Sequence, residues 1–216
     1  KHQWIVHNRT SLHHNATRGS GGVAILYKNE LYTTYEITIV DKSFEGILGV
    51  KFTNKLSRYS FIVYSLYLPP ENSARGYIVD KFYEHLLVQM YFFSNVDALY
   101  LCGDVNGRIG VLDDCLCVID GISQRKCIDT QVNQNGKALL EFMKDSKMCC
   151  LNGRISPEFD NYTSMSVDSS GHYFRQDLNG FFPDRVYKIL LKLNYDDGQS
   201  HIYGNDVESF EFKVTR

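Results

Sequence analysis

The chain has 216 residues, of which 44% are apolar, and it carries a formal net charge of −2 at pH 7. This length and apolar content exclude a minimal domain that needs disulfides or metals to fold, because one sizeable core can form. The near-zero charge excludes a global basic field of the kind that draws proteins to nucleic acid, so any contact with a polyanion must be local.

The first part of the chain has the composition of successive β-strands. The start, KHQWIVHNRT, alternates like a strand, and the stretches GVAILY, YEITIV, EGILGVKF and SFIVYSLYL follow it. They are rich in branched and aromatic residues and are separated by polar or glycine breaks. We therefore predict a run of strands up to Leu68.

Helices and strands alternate in the middle of the chain. Val79, Phe82, Leu86, Met90 and Phe93 recur at helical spacing. DALYLC then predicts a strand, NGKALLEFMKDSK predicts an amphipathic helix opened by Asn135, and MCCLN predicts another strand. This order predicts a layered α/β or α+β domain.

Helical signals vanish beyond about Val167. Residues 168–180, DSSGHYFRQDLNG, form a polar joint, and RVYKILLKLNY, SHIYG and ESFEFKVTR predict two or three strands with an Asp-Asp-Gly turn between the first two. We predict one domain over residues 1–167 and a β-rich segment over residues 168–216. The segment is either a small appendage or an edge extension of the main sheets.

The cysteines and the apolar runs bear on location. The six cysteines show no zinc-ligand spacing, and Cys149 and Cys150 lie in an apolar stretch where core packing is expected. No apolar run approaches the roughly 20 residues of a membrane helix, and the first residues show no signal-peptide pattern. We expect an intracellular protein, nuclear or cytoplasmic, with reduced thiols and no membrane partner.

The stretch LCGDVNGRIG, Leu101 to Gly110, presents a carboxylate and an amide where a predicted strand ends. Asp104 and Asn106 would lie on one side of an extended backbone, in the crevice that ligands commonly use. A carboxylate can orient water or help hold Mg²⁺, and an amide can donate to a phosphoryl oxygen. The same two residues also fit an Asx turn after a strand.

Five ordered blocks resemble the endonuclease/exonuclease/phosphatase (DNase I-like) superfamily, and in particular the endonuclease domains of non-LTR retrotransposons. They are RGSGGVAILYKNEL, VYSLYLPPENS, LYLCGDVNGRIG, NQNGKALLEFMKDSKMCCLNGR and YTSMS. The resemblance spans roughly residues 1–167. It implies an α+β fold, a four-layer α/β/β/α sandwich present in part, and Mg²⁺-dependent cleavage of phosphodiesters with DNA as partner.

The resemblance also implies roles for individual residues. Asp104 would orient or activate the attacking water, Asn106 would hold the phosphate, and the Tyr67 hydroxyl would reach it. Thr163 would help to shape the DNA-facing site, and Arg154 is a candidate phosphate contact. The alternatives are a buried strand tyrosine for Tyr67, an ordinary strand threonine for Thr163 and a turn residue for Arg154.

Two features of the resembling family have no counterpart in this sequence. The metal-binding glutamate would precede Lys1, and the Ser-Asp-His motif is absent from the tail, where neither His172 nor His201 stands in that context. Loss of a proton-transfer group typically costs about 10²–10⁴-fold in rate. We therefore expect a truncated domain of DNA endonuclease lineage, weakly active or inactive, in which no residue is assigned as a metal ligand.

A reading of a different class stays open beside this one. The chain could be a non-catalytic structural or binding module, either a virion component or a chimeric product, in which the β-rich tail mediates assembly. The sequence does not fix the oligomeric state.

Overall fold

The structure is a computed structural model that describes residues 1–10, 21–73, 79–115, 124–127, 129–154, 164–167, 173–176, 189–192, 194–196 and 199–201. Within these ranges the protein is a mixture of helices and strands. The helices are α1 (Leu31–Thr34), α2 (Val79–Phe92) and α3 (Gln134–Ser146). The strands are β1 (His2–Asn8), β2 (Gly22–Lys28), β3 (Tyr35–Asp41), β4 (Ile47–Asn54), β5 (Ser60–Tyr67), β6 (Ala98–Asp104), β7 (Met148–Cys150), β8 (Ser164–Val167), β9 (Tyr173–Gln176), β10 (Ile189–Lys192), β11 (Asn194–Asp196) and β12 (Gln199–His201).

The largest sheet among the described residues has six strands, in the order β3-β4-β5-β6-β10-β7. β3, β4 and β5 are antiparallel neighbours, whereas β5 and β6 run parallel. The crossover that a parallel pair requires contains α2. β5 and β6 therefore end at the same edge of the sheet, which is where the candidate site lies.

Two apolar clusters cover the two faces of this sheet. The first joins β4, β5 and β6 to α2 and α3, and its centre includes Phe82, Leu86 and Leu139. The second joins other residues of the same three strands to β2, with Ile25 and Val63 near its centre. The described residues thus place helices on one face and the β1–β2 pair on the other. Alternate side chains of each central strand feed the two clusters, which explains the nearly continuous apolar run in β5.

The strands predicted from GVAILY to DALYLC are confirmed as β2 to β6, and the helix predicted from the spacing of Val79 to Phe93 is confirmed as α2. The prediction of a mixed α+β fold is confirmed at that level. The helix predicted around NGKALLEFMKDSK is also present, but its cap was assigned wrongly. The Asn133 side chain, not that of Asn135, accepts the Gly136 backbone N–H at 2.8 Å.

In the C-terminal third, the stretches RVYKILLKLNY and SHIYG contain strands as predicted, β10, β11 and β12, and one prediction is corrected. Residues 173–176 were assigned to a polar joint, but they form β9, paired with β8, because Tyr173 and Phe174 favour extended backbone. β10 pairs antiparallel with both β6 and β7, and β11 pairs with β12 on either side of residues 197–198. The division into residues 1–167 and 168–216 stays a prediction, and the predicted strand ESFEFKVTR lies outside the described residues.

The cysteines that the structure describes are free thiols. Cys149 and Cys150 are both fully buried in β7, which confirms the packing role predicted for them. Burial raises the pKa of the Cys102 thiol, in β6, to about 12. Separately, no helix in the described part of the chain is long and apolar enough to cross a membrane.

Candidate functional site at the ends of β5 and β6

Tyr67 and Asp104 are the last residues of two neighbouring parallel strands and are paired in register. Residues paired in this way lie on the same face of a sheet. Tyr67 packs against the second apolar cluster, so this is the face that carries the β1–β2 pair. Both residues are partly exposed, whereas most of the strand residues before them are buried. The fold therefore brings these two predicted site residues together at a partly open edge.

Gly103, the residue before Asp104, allows β6 to lie unusually close to β5. Gly103 has φ of +133°, and a Cβ built there would lie 2.0 Å from the backbone oxygen of Leu66 on β5. Only glycine fits a backbone that crowded in that conformation. The close approach lets the strand reach Asp104 while it stays paired with β5, so Gly103 maintains the Tyr67–Asp104 register.

Asp104 forms the turn that the sequence allowed as one alternative. Its Oδ1 accepts the backbone N–H of Asn106 at 3.1 Å, and its backbone oxygen accepts the N–H of Leu68 at 2.9 Å. This is an Asx turn, which reverses the chain just beyond the strand. The turn fixes the carboxylate at the edge of the sheet, and the predicted role in handling water stays a prediction.

Asn106 joins the two chain segments that leave β5 and β6. Its backbone is left-handed, with φ of +47°, and its Nδ2 donates to the backbone oxygen of Leu68 at 2.8 Å. Asparagine tolerates this conformation better than most residues. An amide has two N–H donors, and this contact uses one of them. The predicted contact of the other with phosphate stays a prediction.

Two asparagines at the start of α3, Asn133 and Asn135, stabilise this turn through hydrogen bonds that the sequence did not predict. Asn133 Nδ2 donates to the backbone oxygen of Asn106 at 2.8 Å, and Asn133 Oδ1 accepts the N–H of Arg108 at 2.7 Å as well as capping α3. Asn135, almost fully buried, donates from Nδ2 to the backbone oxygen of Pro69 at 3.1 Å. The start of α3 is therefore tied to the segments after both β5 and β6. The repeated asparagine in NQNG was the available signal.

Arg154 lies away from this edge and is engaged by a carboxylate. Its two terminal nitrogens each contact an oxygen of Asp114 at 2.8 Å, and it also donates to the backbone oxygen of Cys150. The side chains are only 4% and 1% exposed. Burial alone would raise the pKa of Asp114, but hydrogen bonds from Arg154 and the Cys150 N–H hold it below its ordinary value. A phosphate contact by Arg154 would require this pair to open, so the function proposed below does not use it.

Thr163 lies outside the described residues, so its predicted role stays a prediction. A second ion pair does lie near the turn: Arg108 contacts both oxygens of Asp129 at 2.8 Å. The sequence gives no signal for this pair, because Asp129 lies outside the quoted motifs and is 21 positions from Arg108. It braces the segment after β6 without entering the Tyr67–Asp104 edge.

The donor set at this edge does not fit a resident Mg²⁺ ion. Among the residues that the structure describes, no three histidine, cysteine, aspartate or glutamate side chains group together as a metal centre would require. Asp104 supplies one carboxylate, and one of its oxygens already accepts the N–H of Asn106. Magnesium favours several oxygen ligands in octahedral geometry. No chemical step is therefore assigned to a metal ion at this site.

Comparison with known proteins gives likeness to solved structures but none to a family model or a curated protein. Among solved structures, the chain is similar to the crystal structure of an endonuclease/exonuclease/phosphatase family protein from Bacteroides thetaiotaomicron. The two are 12% identical, the match covers 88% of this chain and 74% of that chain, and the TM-score is 0.40. A likeness at this level does not assign an activity.

Proposed function

We propose that this chain is a phosphodiester-binding domain of the endonuclease/exonuclease/phosphatase type, with the non-LTR retrotransposon endonucleases as its lineage and DNA as its ligand. The observation that carries the proposal is the register pairing of Tyr67 with Asp104 at the ends of adjacent parallel strands, followed at once by Asn106. The five ordered sequence blocks described above support the same family. In the complete architecture proposed here, the β1–β2 pair belongs to the second sheet of a four-layer sandwich.

The three side chains divide the work by their chemistry. The Tyr67 hydroxyl and the second N–H of the Asn106 amide are neutral donors, which hold phosphoryl oxygens without adding charge. The Asp104 carboxylate accepts a hydrogen bond from water and so orients that water towards phosphorus. In the resembling family Mg²⁺ neutralises charge on the phosphate, but the described residues of this chain do not build its site. We therefore propose binding of the phosphodiester backbone with weak or absent hydrolysis.

The test separates binding from hydrolysis. Purified protein is titrated with fluorescent duplex DNA, and nicking of supercoiled plasmid is followed with added Mg²⁺. Asp104→Asn is the matched variant, because an asparagine oxygen still accepts the Asn106 N–H and preserves the turn. We expect Asp104→Asn to bind DNA as tightly as the native chain or tighter, since a negative charge is removed, and to lose any nicking.

Tyr67→Phe provides the complementary variant. It keeps the ring in the second apolar cluster and removes only the hydroxyl, so weaker DNA binding at unchanged stability would support a donor role for Tyr67. If the native chain neither binds nor nicks DNA at high protein concentration, the proposal is wrong. Nicking that persists in Asp104→Asn would reject the role assigned to the carboxylate.

A further inference from the structure

A small cleft lies beside Tyr67 on the side away from Asp104. Arg9, just after β1, and Glu45 and Gly46, just before β4, line it together with Tyr67 and Pro69. The backbone N–H of Tyr67 donates to the oxygen of Gly46 at 2.8 Å. The loop that carries Glu45 is thereby attached to the end of β5. Tyr67 thus separates this cleft from Asp104 on β6.

The two charged residues of the cleft form an incomplete ion pair. Arg9 Nε lies 2.7 Å from Glu45 Oε1, and each side chain is 16% exposed. The two atoms are buried but not aligned for a hydrogen bond, so the contact is one of charge alone. Among the described residues, no other hydrogen bond or ion pair of either side chain is present. A guanidinium carries five N–H donors, so most of the binding capacity of Arg9 is unused.

We propose that Arg9 is an oxyanion-binding residue and that Glu45 holds it in place until a phosphate group displaces the carboxylate. While Arg9 and Glu45 are in contact, the free volume of the cleft is about 10 Å³, which is room for about one water molecule. A phosphate group therefore enters only when Glu45 moves aside. In exchange, Arg9 gains two parallel charge-assisted hydrogen bonds, the geometry in which guanidinium binds phosphate best.

The position of the cleft indicates the source of the phosphate group that it binds. A phosphodiester chain that crosses Tyr67 would present one phosphate on the Asp104 side and a neighbouring one on the Arg9 side. This part of the inference rests on the function proposed above, whereas oxyanion binding by Arg9 does not. The shared ligand chemistry is a phosphate oxyanion, either free or within a nucleic acid backbone.

The first experiment measures binding of inorganic phosphate by calorimetry to the native chain and three variants. We expect Arg9→Gln to weaken binding about tenfold or more, because a charge-assisted contact is lost. We expect Glu45→Gln to tighten it several-fold, since the competing carboxylate is removed. Lys81→Gln, which removes one positive charge from the exposed side of α2, should bind as the native chain does. No binding to the native chain, equal binding by Arg9→Gln, or weaker binding by Glu45→Gln would overturn the proposal.

Two controls keep these outcomes interpretable. Thermal unfolding of each variant shows whether it is folded. Arg9→Lys retains the charge without the planar fork, so it should bind phosphate with intermediate affinity.

A second titration uses short oligothymidine and the same oligomer with an uncharged methylphosphonate backbone. If Arg9→Gln binds the charged oligomer more weakly than the native chain does, and the uncharged oligomer equally well, the phosphate comes from a nucleic acid. If oligothymidine binding is unaffected while phosphate binding is lost, that source is wrong and the oxyanion site stands.

Discussion

Two arginine–carboxylate pairs in this protein differ in almost every respect except their chemistry. Arg154 contacts both oxygens of Asp114, is 4% exposed, and has the backbone oxygen of Cys150 as a further acceptor. Arg9 contacts Glu45 through one nitrogen, is 16% exposed, and borders a cleft. A buried pair with complete hydrogen bonding holds a fold together, whereas an incomplete pair beside a cleft can exchange one partner for a ligand.

The largest effect should come from breaking the complete pair. Arg154→Ala leaves the Asp114 carboxylate buried without its cation, which typically costs about 3–5 kcal/mol of the free energy of unfolding. Urea denaturation of the variant and the native chain measures the difference. A loss below about 1 kcal/mol, the value of an exposed pair, would show that Asp114 finds another partner.

The same pair should make stability depend on acid pH. The pKa of Asp114 is held below its ordinary value in the folded protein, so its contribution is fully present above the ordinary carboxyl pKa. It is lost as the pH falls below about 4, through the folded pKa. We expect the stability difference between the native chain and Asp114→Asn to be constant at neutral pH and to shrink in acid. Urea midpoints measured across this range test the sign, and a difference that grows in acid would contradict it.

A smaller effect is expected from the asparagine that links α3 to the site. Asn133→Ala removes the helix cap and the donor to Asn106, and loss of a cap typically costs about 1 kcal/mol. Asn133→Asp is the matched control, because it keeps a capping oxygen and replaces the donor by a second oxygen, and its negative charge is favourable at a helix N-terminus. If the two variants unfold at the same urea midpoint, the cap is not the source of the stabilisation.

The smallest effect on stability is predicted for Arg9→Gln. A single unaligned contact at a partly exposed position should contribute less than about 1 kcal/mol to the free energy of unfolding. Measured beside Arg154→Ala, this variant tests the contrast between the two pairs directly. A loss as large as that of Arg154→Ala would mean that Arg9 is part of the structural framework rather than a binding residue.

Local patterns in the sequence predicted the local structure well. The branched and aromatic runs that became β2 to β6, and the spacing that became α2, depend on residues close together in the chain. The cap of α3 was misplaced by two residues because Asn133 and Asn135 both precede Gly136, and only the surrounding backbone decides which of them caps. The sequence allowed Asp104 to be a turn residue or a site residue. The structure shows the Asx turn, and the site role stays a prediction.

Contacts between distant residues could not be predicted from the sequence. The turn predicted at Arg154 is present, since its backbone N–H donates to the oxygen of Leu151 at 3.0 Å, but nothing near it in the sequence indicates a side-chain partner 40 positions away. β10 lies between β6 and β7, although 84 residues, 105–188, separate it from β6. Arg9 and Glu45 belong to none of the five blocks that carry the family resemblance, and only the fold brings them to the same cleft as Tyr67. The assembly role considered for the tail, residues 168–216, stays a prediction, to be tested by the size of the full chain in solution; a monomer would argue against it.

The central claim is that the edge formed by Tyr67, Asp104 and Asn106 binds a phosphodiester backbone. It is tested most directly by titrating ¹⁵N-labelled protein with a short oligonucleotide and following each backbone amide by NMR. We predict that the largest shifts fall on the amides of Tyr67, Leu68 and Asn106. Shifts confined to other surfaces, with these three amides unmoved at saturation, would contradict the claim.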